Sequence, residues 1–380
     1  MTHAPTPPAD ARLIIAASEA DANLFYATRF LAPDPFVFLW HGDDTMVLVS
    51  DLELDRARAQ ARVSQVLALR TYEERAKQAG TERPGTVDAL VQLLRERDVH
   101  SLLVPGSFPL EHADKLRASG LSVSAGSDPF FEARLTKSPE EIEAIYQAMR
   151  RTEAALEVAI RTIREANERD GVLWWQGSIL TSEAVKRVIA RQLLDDGLIA
   201  QHTIVACGEQ ACDPHHEGSG PLAAGRAIIL DLFPRDGSSR YHADITRTVV
   251  KGRAPEVLRR MYDAVLAAQA RALELIRDGV EGEAIHLAVQ QSFQACGYQS
   301  GEVKGRMQGF FHGTGHGLGL EVHELPRISK AKSTLRSGHV VTVEPGLYYP
   351  GVGGVRIEDV VVVTDTGCRN LTSIPKRLEV

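Results

Sequence analysis

The chain has 380 residues, of which 44% are hydrophobic and 24% are charged, so it can bury a substantial core. That length suits two domains of ordinary size and excludes both a disordered polymer and a small scaffold that needs disulfides to fold. The formal net charge is −7 and no long run of Lys or Arg occurs, which argues against a nucleic-acid partner.

The N-terminus carries no recognisable targeting segment. Residues 1–10 contain neither a basic region nor an apolar one, and no run of about 20 apolar residues, the length that spans a bilayer, follows them. We therefore expect a cytoplasmic protein with no membrane partner.

Residues 1–133 alternate short apolar runs with helical patterns. Runs of strand length, bounded by turn residues, occupy residues 13–17, 36–40, 46–49 and 102–104. Apolar residues at helical spacing mark residues 84–97 and 110–118. The pattern predicts a small α/β domain. Because no cluster of His, Asp or Glu stands out in it, we expect a scaffold or oligomerisation domain rather than one that shapes a substrate site.

Residues 134–380 are predicted to form a second, α+β domain. Ser138, Pro139 and Glu141 have the pattern of a capping box with Pro at the first helical position, which begins a long helix that ends before Gly171. Further helices are predicted at residues 182–196, 255–277 and 282–296. Strand-like stretches occupy residues 202–207, 227–233, 241–250, 310–322, 340–344 and 355–363. We expect helices on a largely antiparallel, curved sheet.

Four carboxylates lie within or at the end of apolar strands of this domain: Asp231, Asp244, Glu344 and Glu358. One such residue could be a satisfied polar group of the core. Four of them in apolar surroundings are costly and need a shared counter-charge. A bound metal cluster supplies that charge.

A glycine-rich segment contributes histidines to the same region. Strand alternation predicts that His312, Thr314 and His316 share one face, whereas His323 needs a bend or bulge to reach the same site. The spacing of His312 and His316 resembles that of a zincin, but the glycines oppose a helix and no Glu follows His312. The segment is also no phosphate-binding loop, because the Lys-Ser/Thr of a P-loop is absent.

Five motifs follow one another in this domain: Asp231-Leu-Phe-Pro, Asp244-Ile-Thr-Arg-Thr, His312-Gly-Thr-Gly-His316-Gly-Leu-Gly-Leu-Glu-Val-His323-Glu, Val343-Glu344-Pro-Gly and Val355-Arg-Ile-Glu358-Asp. In this order they resemble the pita-bread metallopeptidases of family M24, which include prolidase, aminopeptidase P and methionine aminopeptidase, with creatinase as a metal-free relative. The resemblance covers about residues 134–380. It implies a catalytic pita-bread domain there, preceded by a smaller creatinase-like α/β domain.

The resemblance also implies a dinuclear metal site. Its five ligands would be Asp231, Asp244, His316, Glu344 and Glu358, with Asp244 and Glu358 bridging both ions. Asp231 would complete one ion, and His316 with Glu344 the other. Four carboxylates and one imidazole suit Mn²⁺, with Co²⁺ or Zn²⁺ as alternatives. Two such ions activate water for attack on a scissile carbonyl, and Glu344 would carry the proton to the leaving nitrogen.

Further residues are candidates for contact with the substrate. By resemblance, His323 interacts with the substrate, and His215, in preference to His216, binds substrate or shuttles protons. His312 either lines the pocket or only packs. Arg356 either binds a substrate carboxylate or is a charge partner of Glu358 or Asp359. We expect no role for His339.

The spacing of two motifs departs from the family. Asp231 and Asp244 are 13 residues apart, two more than in many members. We attribute the difference to two extra residues in the turn formed by residues 234–240. His242 shares its strand face with Asp244, so it is either a neighbour of the metal ligands or an ordinary surface or core histidine.

The function predicted from these features is a dinuclear metal-dependent exopeptidase that cleaves the Xaa-Pro bond. The N-terminal domain resembles that of small microbial prolidases, which favours a dipeptidase acting on proline-containing dipeptides or short peptides. Aminopeptidase P is the alternative, because the segment 348–354 has no basic residue before Arg356. A metal-free creatinase-like hydrolase or a non-catalytic binding protein is disfavoured, since all five ligand positions keep an acid or a histidine. The family leads us to expect a homodimer.

Overall fold

The structure is a computed structural model that describes residues 9–380. The chain divides into two compact units, of which the first ends at Arg134 and the second comprises Leu135–Val380. Residues 1–8, where we found most of the evidence against a targeting signal, lie outside the described residues. Within residues 9–380, no helix combines the length and the apolar character needed to cross a bilayer.

The first unit contains one mixed sheet and five helices within its described part. The strands are β1 (Ala11–Ala16), β2 (Phe36–His41), β3 (Asp44–Val49), β4 (Gln65–Ala68), β5 (Ser101–Val104) and β6 (Ser122–Ala125). The helices are α1 (Ala22–Thr28), α2 (Leu54–Gln60), α3 (Leu69–Gln78), α4 (Thr86–Glu96) and α5 (Leu110–Ala118). The sheet order is β4-β3-β2-β1-β5-β6, with antiparallel β1-β2-β3 flanked by parallel pairs.

Alternation along the strands of this unit gives the sheet two apolar faces. Leu13 and Ile15 of β1 belong to the core cluster that includes α4, whereas Ile14 belongs to a second cluster with Leu24 of α1 and Ala57 of α2. The predicted α/β arrangement is confirmed here, although α1 to α3, β4 and β6 were not predicted. The role of this unit as a scaffold or oligomerisation domain stays a prediction.

The second unit contains four longer helices within its described residues. They are α6 (Pro139–Glu165), α7 (Ser182–Asp195), α8 (Glu256–Leu275) and α9 (Gly282–Ala295). The capping box at the start of α6 is present, because the Ser138 side chain accepts from the Glu141 N–H and Glu141 returns the bond. The helix ends at Glu165, before Gly171 as predicted, and the chain then enters a small three-stranded sheet.

The strands of the second unit form several sheets rather than one. They are β7 (Asn167–Arg169), β8 (Val172–Trp175), β9 (Ser178–Ile179), β10 (Leu198–Ile199), β11 (Ile204–Cys207), β12 (Ile228–Leu232), β13 (Arg235–Asp236), β14 (Ile245–Val249), β15 (Gly301–Val303), β16 (Arg306–Gln308), β17 (Gly315–Gly317), β18 (Glu324–Ile328), β19 (Val340–Val343), β20 (Gly346–Tyr349), β21 (Gly353–Arg356), β22 (Asp359–Val363) and β23 (Cys368–Asn370). The two larger sheets have the orders β11-β12-β14 and β18-β17-β19-β22-β23. Neighbouring strands in both are antiparallel, as predicted.

The core of the second unit lies between its helices and these sheets. Apolar residues of α8 and α9 share one buried cluster with Val341 and Val343 of β19 and with Val361 of β22. The polar ends of the same strands are thereby held in a rigid apolar frame, which fixes the side chains that follow them.

Candidate metal centre

The five predicted ligands come from five different segments of the second unit. Asp231 lies in β12, Asp244 directly precedes β14, His316 lies in β17, Glu344 directly follows β19, and Glu358 lies between β21 and β22. Strand β12 pairs with β14, so that Asp231 is opposite Thr246, two residues from Asp244. All five residues line one cavity of about 600 Å³. The structure therefore brings together every residue that the resemblance named as a ligand.

Three of these residues approach closely enough to hold one ion. Ligand atoms of Asp244, His316 and Glu358 all lie within 4.8 Å of one another, and this is the one such group of His, Cys, Asp or Glu found within residues 9–380. The Nε2 atom of His316 lies 3.7 Å from Oδ2 of Asp244 and 3.5 Å from Oε1 of Glu344. Asp231 reaches the same cavity from the opposite strand of the β12-β14 pair.

His316 is oriented as a metal-binding imidazole. Its Nδ1 atom lies 3.1 Å from the carbonyl oxygen of Gly317, which makes Nδ1 the protonated nitrogen. The lone pair of Nε2 is then directed at the carboxylates. Burial, with a further contribution from His323, lowers the pKa of His316 to about 3, so the ring is neutral at neutral pH.

The four carboxylates share one cationic side chain, Arg356, among the residues that line the cavity. Burial raises the pKa of Asp244 and of Glu358 well above the ordinary values, and the neighbouring carboxylates raise them further. Oδ1 of Asp231 is buried and has no hydrogen-bond partner. An orphaned acceptor beside crowded acids is the environment that a divalent cation satisfies, so the residues fit the predicted metal ions.

Neighbouring side chains orient two of the carboxylates. The Thr246 hydroxyl donates to Oε2 of Glu358 at 2.7 Å. Nη2 of Arg356 donates to Oδ2 of Asp231 at 2.7 Å. Arg356 is thus a charge partner, which is one of the two roles considered for it, but its ion pair is with Asp231 rather than with Glu358 or Asp359. Asp359 is held by Arg247 and Lys376 instead. The substrate-binding role of Arg356 stays a prediction.

Arg356 also begins a chain of hydrogen bonds through Tyr348. Nη1 of Arg356 donates to the Tyr348 hydroxyl at 2.9 Å, and that hydroxyl lies 2.9 Å from Nε2 of His312. Nδ1 of His312 lies 2.7 Å from the Gly313 carbonyl oxygen, so Nδ1 carries the proton and Nε2 accepts from Tyr348. Burial, with Arg356 nearby, lowers the pKa of His312 to about 3. His312 lines the cavity and is also packed between aromatic rings.

The prediction that His312, Thr314 and His316 share one strand face is only partly correct. Strand β17 covers no more than residues Gly315–Gly317, so alternation does not extend back to His312. Thr314 is buried with its hydroxyl 2.9 Å from Nδ1 of His286 on α9, and it does not line the cavity. His323 reaches the cavity because the register between β17 and β18 shifts at His316 and Gly317, which is the kind of irregularity predicted.

The turn between Asp231 and Asp244 accommodates the unusual spacing as a tight hairpin. Oδ1 of Asp236 accepts from the backbone N–H groups of Ser238 and Ser239, and Oδ2 pairs with Arg151 of α6 at 2.5 Å. His242 follows this hairpin, with its ring directed at the carbonyl oxygen of Phe233 at 3.4 Å. Burial lowers the pKa of His242 to about 4, which indicates a neutral, half-buried histidine of the frame.

Of the other histidines considered, His215 and His323 line the cavity, whereas His216 and His339 do not. His215 is exposed, and the ring of His323 lies 4.4 Å from that of His316. Nδ1 of His216 accepts from the Gly218 N–H at 2.9 Å, which stabilises the local turn. Nδ1 of His339 likewise accepts from the Arg336 N–H at 3.0 Å, away from the cavity.

Sequence reasoning missed several residues that line or support the site. Tyr348 and Thr246 make the contacts described above, and Phe233, Phe311 and Val322 form apolar walls of the cavity. Thr246 belongs to the motif Asp244-Ile-Thr-Arg-Thr and lies two residues after Asp244, so the sequence could have indicated that it lies near the site. For Tyr348 the sequence carried no signal beyond its place in a glycine-bounded hairpin.

Comparison with known proteins places the chain in a family. Residues 143–365 match metallopeptidase family M24. The chain is 29% identical to the Xaa-Pro dipeptidase of Pyrococcus furiosus over 339 residues, which cover 89% of this chain and 87% of that protein. It is 32% identical to the Xaa-Pro dipeptidase of Pyrococcus horikoshii over 284 residues, covering 74% and 75%.

A solved structure extends the comparison to the whole fold. An X-Pro aminopeptidase from Thermotoga maritima superimposes with a TM-score of 0.81 at 26% identity, covering 98% of each chain. The resemblance drawn from the motifs, with its pita-bread fold, is confirmed. The chain belongs to metallopeptidase family M24, whose peptidases use divalent metal ions.

Proposed function

We propose that this peptidase hydrolyses Xaa-Pro dipeptides, using two divalent ions, Mn²⁺ in the first place, held by Asp231, Asp244, His316, Glu344 and Glu358. The observation that carries the proposal is the convergence of these five side chains on one cavity, with an orphaned carboxylate oxygen among them. The dipeptidases of the two Pyrococcus species, which the chain matches over most of its length, support the same substrate class.

The chain's own residues would position the reactants and move the proton. When bound, two divalent ions would activate water and polarise the scissile carbonyl. Glu344 has the most accessible of the ligand carboxylates described above, with 18% of its side chain exposed, so it can reach a water molecule in the cavity. It would accept the proton of the attacking water and pass it to the imide nitrogen, which leaves poorly until it is protonated. His323 and His215, which line the cavity, would contact the substrate.

The hydrogen-bonded chain behind the cavity would keep Asp231 in place. Arg356 and Tyr348 are both buried. Arg356 donates to the Asp231 carboxylate, and the Tyr348 hydroxyl accepts from the other end of the guanidinium and so orients it. His312 would close the chain and face the bound peptide. In this arrangement His312 and Arg356 line the cavity and also belong to the hydrogen-bonded chain that holds Asp231.

Aminopeptidase P activity is the second candidate. Among the cavity-lining residues, Arg356 is the one Arg or Lys, and its guanidinium already donates to Asp231, Tyr348 and Thr246. A dipeptide carboxylate would then depend on histidines such as His215 and His323. A longer peptide places no carboxylate at that position, and the similarity to an X-Pro aminopeptidase also supports this alternative.

The deciding experiment compares three peptides with the Mn²⁺-loaded protein. We expect a higher kcat/KM for Ala-Pro than for Ala-Pro-Ala, and no comparable hydrolysis of Ala-Ala. Clear preference for the tripeptide would replace the dipeptidase by the aminopeptidase. Failure to cleave any of the three by a folded, metal-loaded protein would contradict both. A Glu344→Ala variant that kept full activity would refute the assigned base.

A further inference from the structure

A buried ion pair lies outside the metal ligands, between Lys137 and Glu324. Nζ of Lys137 is 2.8 Å from Oε2 of Glu324, and the two side chains are 2% and 7% exposed. Lys137 directly precedes Ser138, the cap of α6, and its backbone N–H donates to the Gly338 carbonyl oxygen at 2.9 Å. Glu324 is the first residue of β18 and directly follows His323. The pair therefore connects a fixed helix start to the segment that carries a cavity-lining histidine.

The Glu324 carboxylate lies against the loop of residues 318–323. Its Oε1 atom accepts from the Glu321 N–H at 3.2 Å. A Cβ atom added to Gly319 would lie 2.5 Å from Oε2 of Glu324, so only glycine leaves room for the carboxylate there. The carbonyl oxygen of Gly319 accepts from the His242 N–H at 2.8 Å, which ties the other side of the loop to the segment that precedes β14.

This loop sets the position of His323 relative to the metal ligands. The His323 ring stands nearly perpendicular to that of His316, with 4.4 Å between centroids. The ladder between β17 and β18 is irregular between His316 and Gly317, and its last pair is Gly317 with Glu324, so residues 318–323 lie outside this ladder. The side chain of Glu324, through Lys137 and the Glu321 N–H, restrains this loop in addition to that backbone pair.

A stabilising role alone does not account for a buried ion pair. Removing two charges from water costs about as much free energy as their attraction returns, so such a pair is weak evidence for stability. We propose that Lys137 is a positioning residue for His323, acting through the Glu324 carboxylate on the loop of residues 318–323. This inference rests on the proposed function, in which His323 contacts the substrate.

The test compares three variants of the metal-loaded protein: Lys137→Met, Glu324→Gln and the double variant. We expect each single change to lower kcat for Ala-Pro about tenfold or more, because small displacements of a catalytic group are costly. Metal content should stay at the wild-type value. The double variant should lose no more than the worse single variant, because both act through one pair. Lys137→Arg should retain more activity than Lys137→Met.

A matched control replaces a second buried acid, which lies on α6 and not in the loop next to His323. Glu153 pairs with Arg150 at 2.8 Å and accepts from the Ser373 N–H, on contacts that do not involve the cavity. Glu153→Gln should lower the melting temperature without changing kcat. If Lys137→Met does not fold, Gly319→Ala serves in its place, since its Cβ would displace the Glu324 carboxylate.

Two outcomes would overturn the inference. One is a Lys137→Met protein with kcat within twofold of an active wild type. The other is a crystal structure of that variant in which the loop of residues 318–323 and the His323 ring have not moved. The crystal structure tests whether Lys137 positions His323 even if the wild type does not cleave Ala-Pro. Absence of Ala-Pro hydrolysis by the wild type would instead refute the proposed function.

Discussion

Arg356 and Asp231 form a buried ion pair that joins strands β21 and β12, with Nη2 2.7 Å from Oδ2. The side chains are 4% and 10% exposed, and the second oxygen of Asp231 has no hydrogen-bond partner of its own. One oxygen of the carboxylate is thus fixed by the protein, and the other is left for an ion.

Replacing Arg356 should damage both folding and activity. Arg356→Met leaves a buried carboxylate unpaired, which we expect to lower the free energy of unfolding by about 3–5 kcal/mol and to lower kcat/KM. Arg356→Lys should lie between, because an ammonium cannot donate to Asp231 and Tyr348 as a fork. Urea unfolding and Ala-Pro hydrolysis measure the two effects. Arg306→Ala, which breaks an exposed pair with Glu209, is the control and should change stability by less than about 0.5 kcal/mol. Equal effects of the two substitutions would contradict the assignment.

The Tyr348 hydroxyl is expected to matter more than that of its neighbour. Tyr348→Phe keeps the ring but leaves Nη1 of Arg356 and Nε2 of His312 without this partner, a loss of about 1–3 kcal/mol of stability. Tyr349→Phe removes an exposed bond to the Gln299 carbonyl oxygen and should be nearly neutral. Paired thermal unfolding curves distinguish them, and a neutral Tyr348→Phe would mean that the hydrogen-bonded chain does not support the site.

Gly315 is required by the close approach of β17 to its neighbour. A Cβ atom at this position would lie 1.9 Å from the backbone carbonyl oxygen of Thr342, which cannot move without displacing β19. We expect Gly315→Ala to lower both the melting temperature and the affinity for Mn²⁺, since His316 follows directly. Gly367→Ala is the matched control, because its Cβ would meet no atom within 4 Å. Unchanged Mn²⁺ binding by Gly315→Ala, measured calorimetrically, would be inconsistent with this geometry.

The hairpin that follows Asp231 should contribute acid-sensitive stability through Asp236. Burial raises the pKa of Asp236, but bonds from Ser239 and Ser238 and the charge of Arg151 outweigh it and lower the pKa from 3.8 to about 2. A lowered pKa means that the folded state binds fewer protons, so the contribution is complete above about pH 4 and disappears as the pH falls toward 2.

That contribution can be isolated by substitution. We expect Asp236→Asn to be less stable than the wild type by roughly 2 kcal/mol at pH 6, with a difference that shrinks toward pH 2. Urea unfolding at a series of pH values measures it. A difference that is independent of pH between 2 and 6 would show that the Asp236 charge is not the cause.

The parts of the fold that the sequence predicted are those set by local chemistry. The Ser138 and Glu141 cap placed the start of α6 because both partners lie within one helical turn. The end of the same helix was predicted only as lying before Gly171, since no Gly or Pro marks the exit at Glu165. In the first unit, α1 to α3 were missed because they are short and their stability depends on packing against the sheet.

The residues of the site could be predicted where they belong to a recognisable motif. The contacts between side chains on strands far apart in the sequence could not. Each of the five predicted ligands that line the cavity lies in a recognisable sequence motif. The motif Asp244-Ile-Thr-Arg-Thr identified Asp244 even though its distance from Asp231 is unusual. Asp231 was not among the partners considered for Arg356, because it is 125 residues away along the chain and only the packing of β21 near β12 brings them together. The ion pair of Lys137 and Glu324 was invisible for the same reason.

The most direct test of the account is the hydrolysis of Ala-Pro by metal-free protein as Mn²⁺ is added stepwise. We predict no hydrolysis at the start and a rate that rises to a plateau at about two equivalents, as expected of a dinuclear site. Full activity in the metal-free protein, or no hydrolysis by folded protein at any Mn²⁺ loading, would contradict the account.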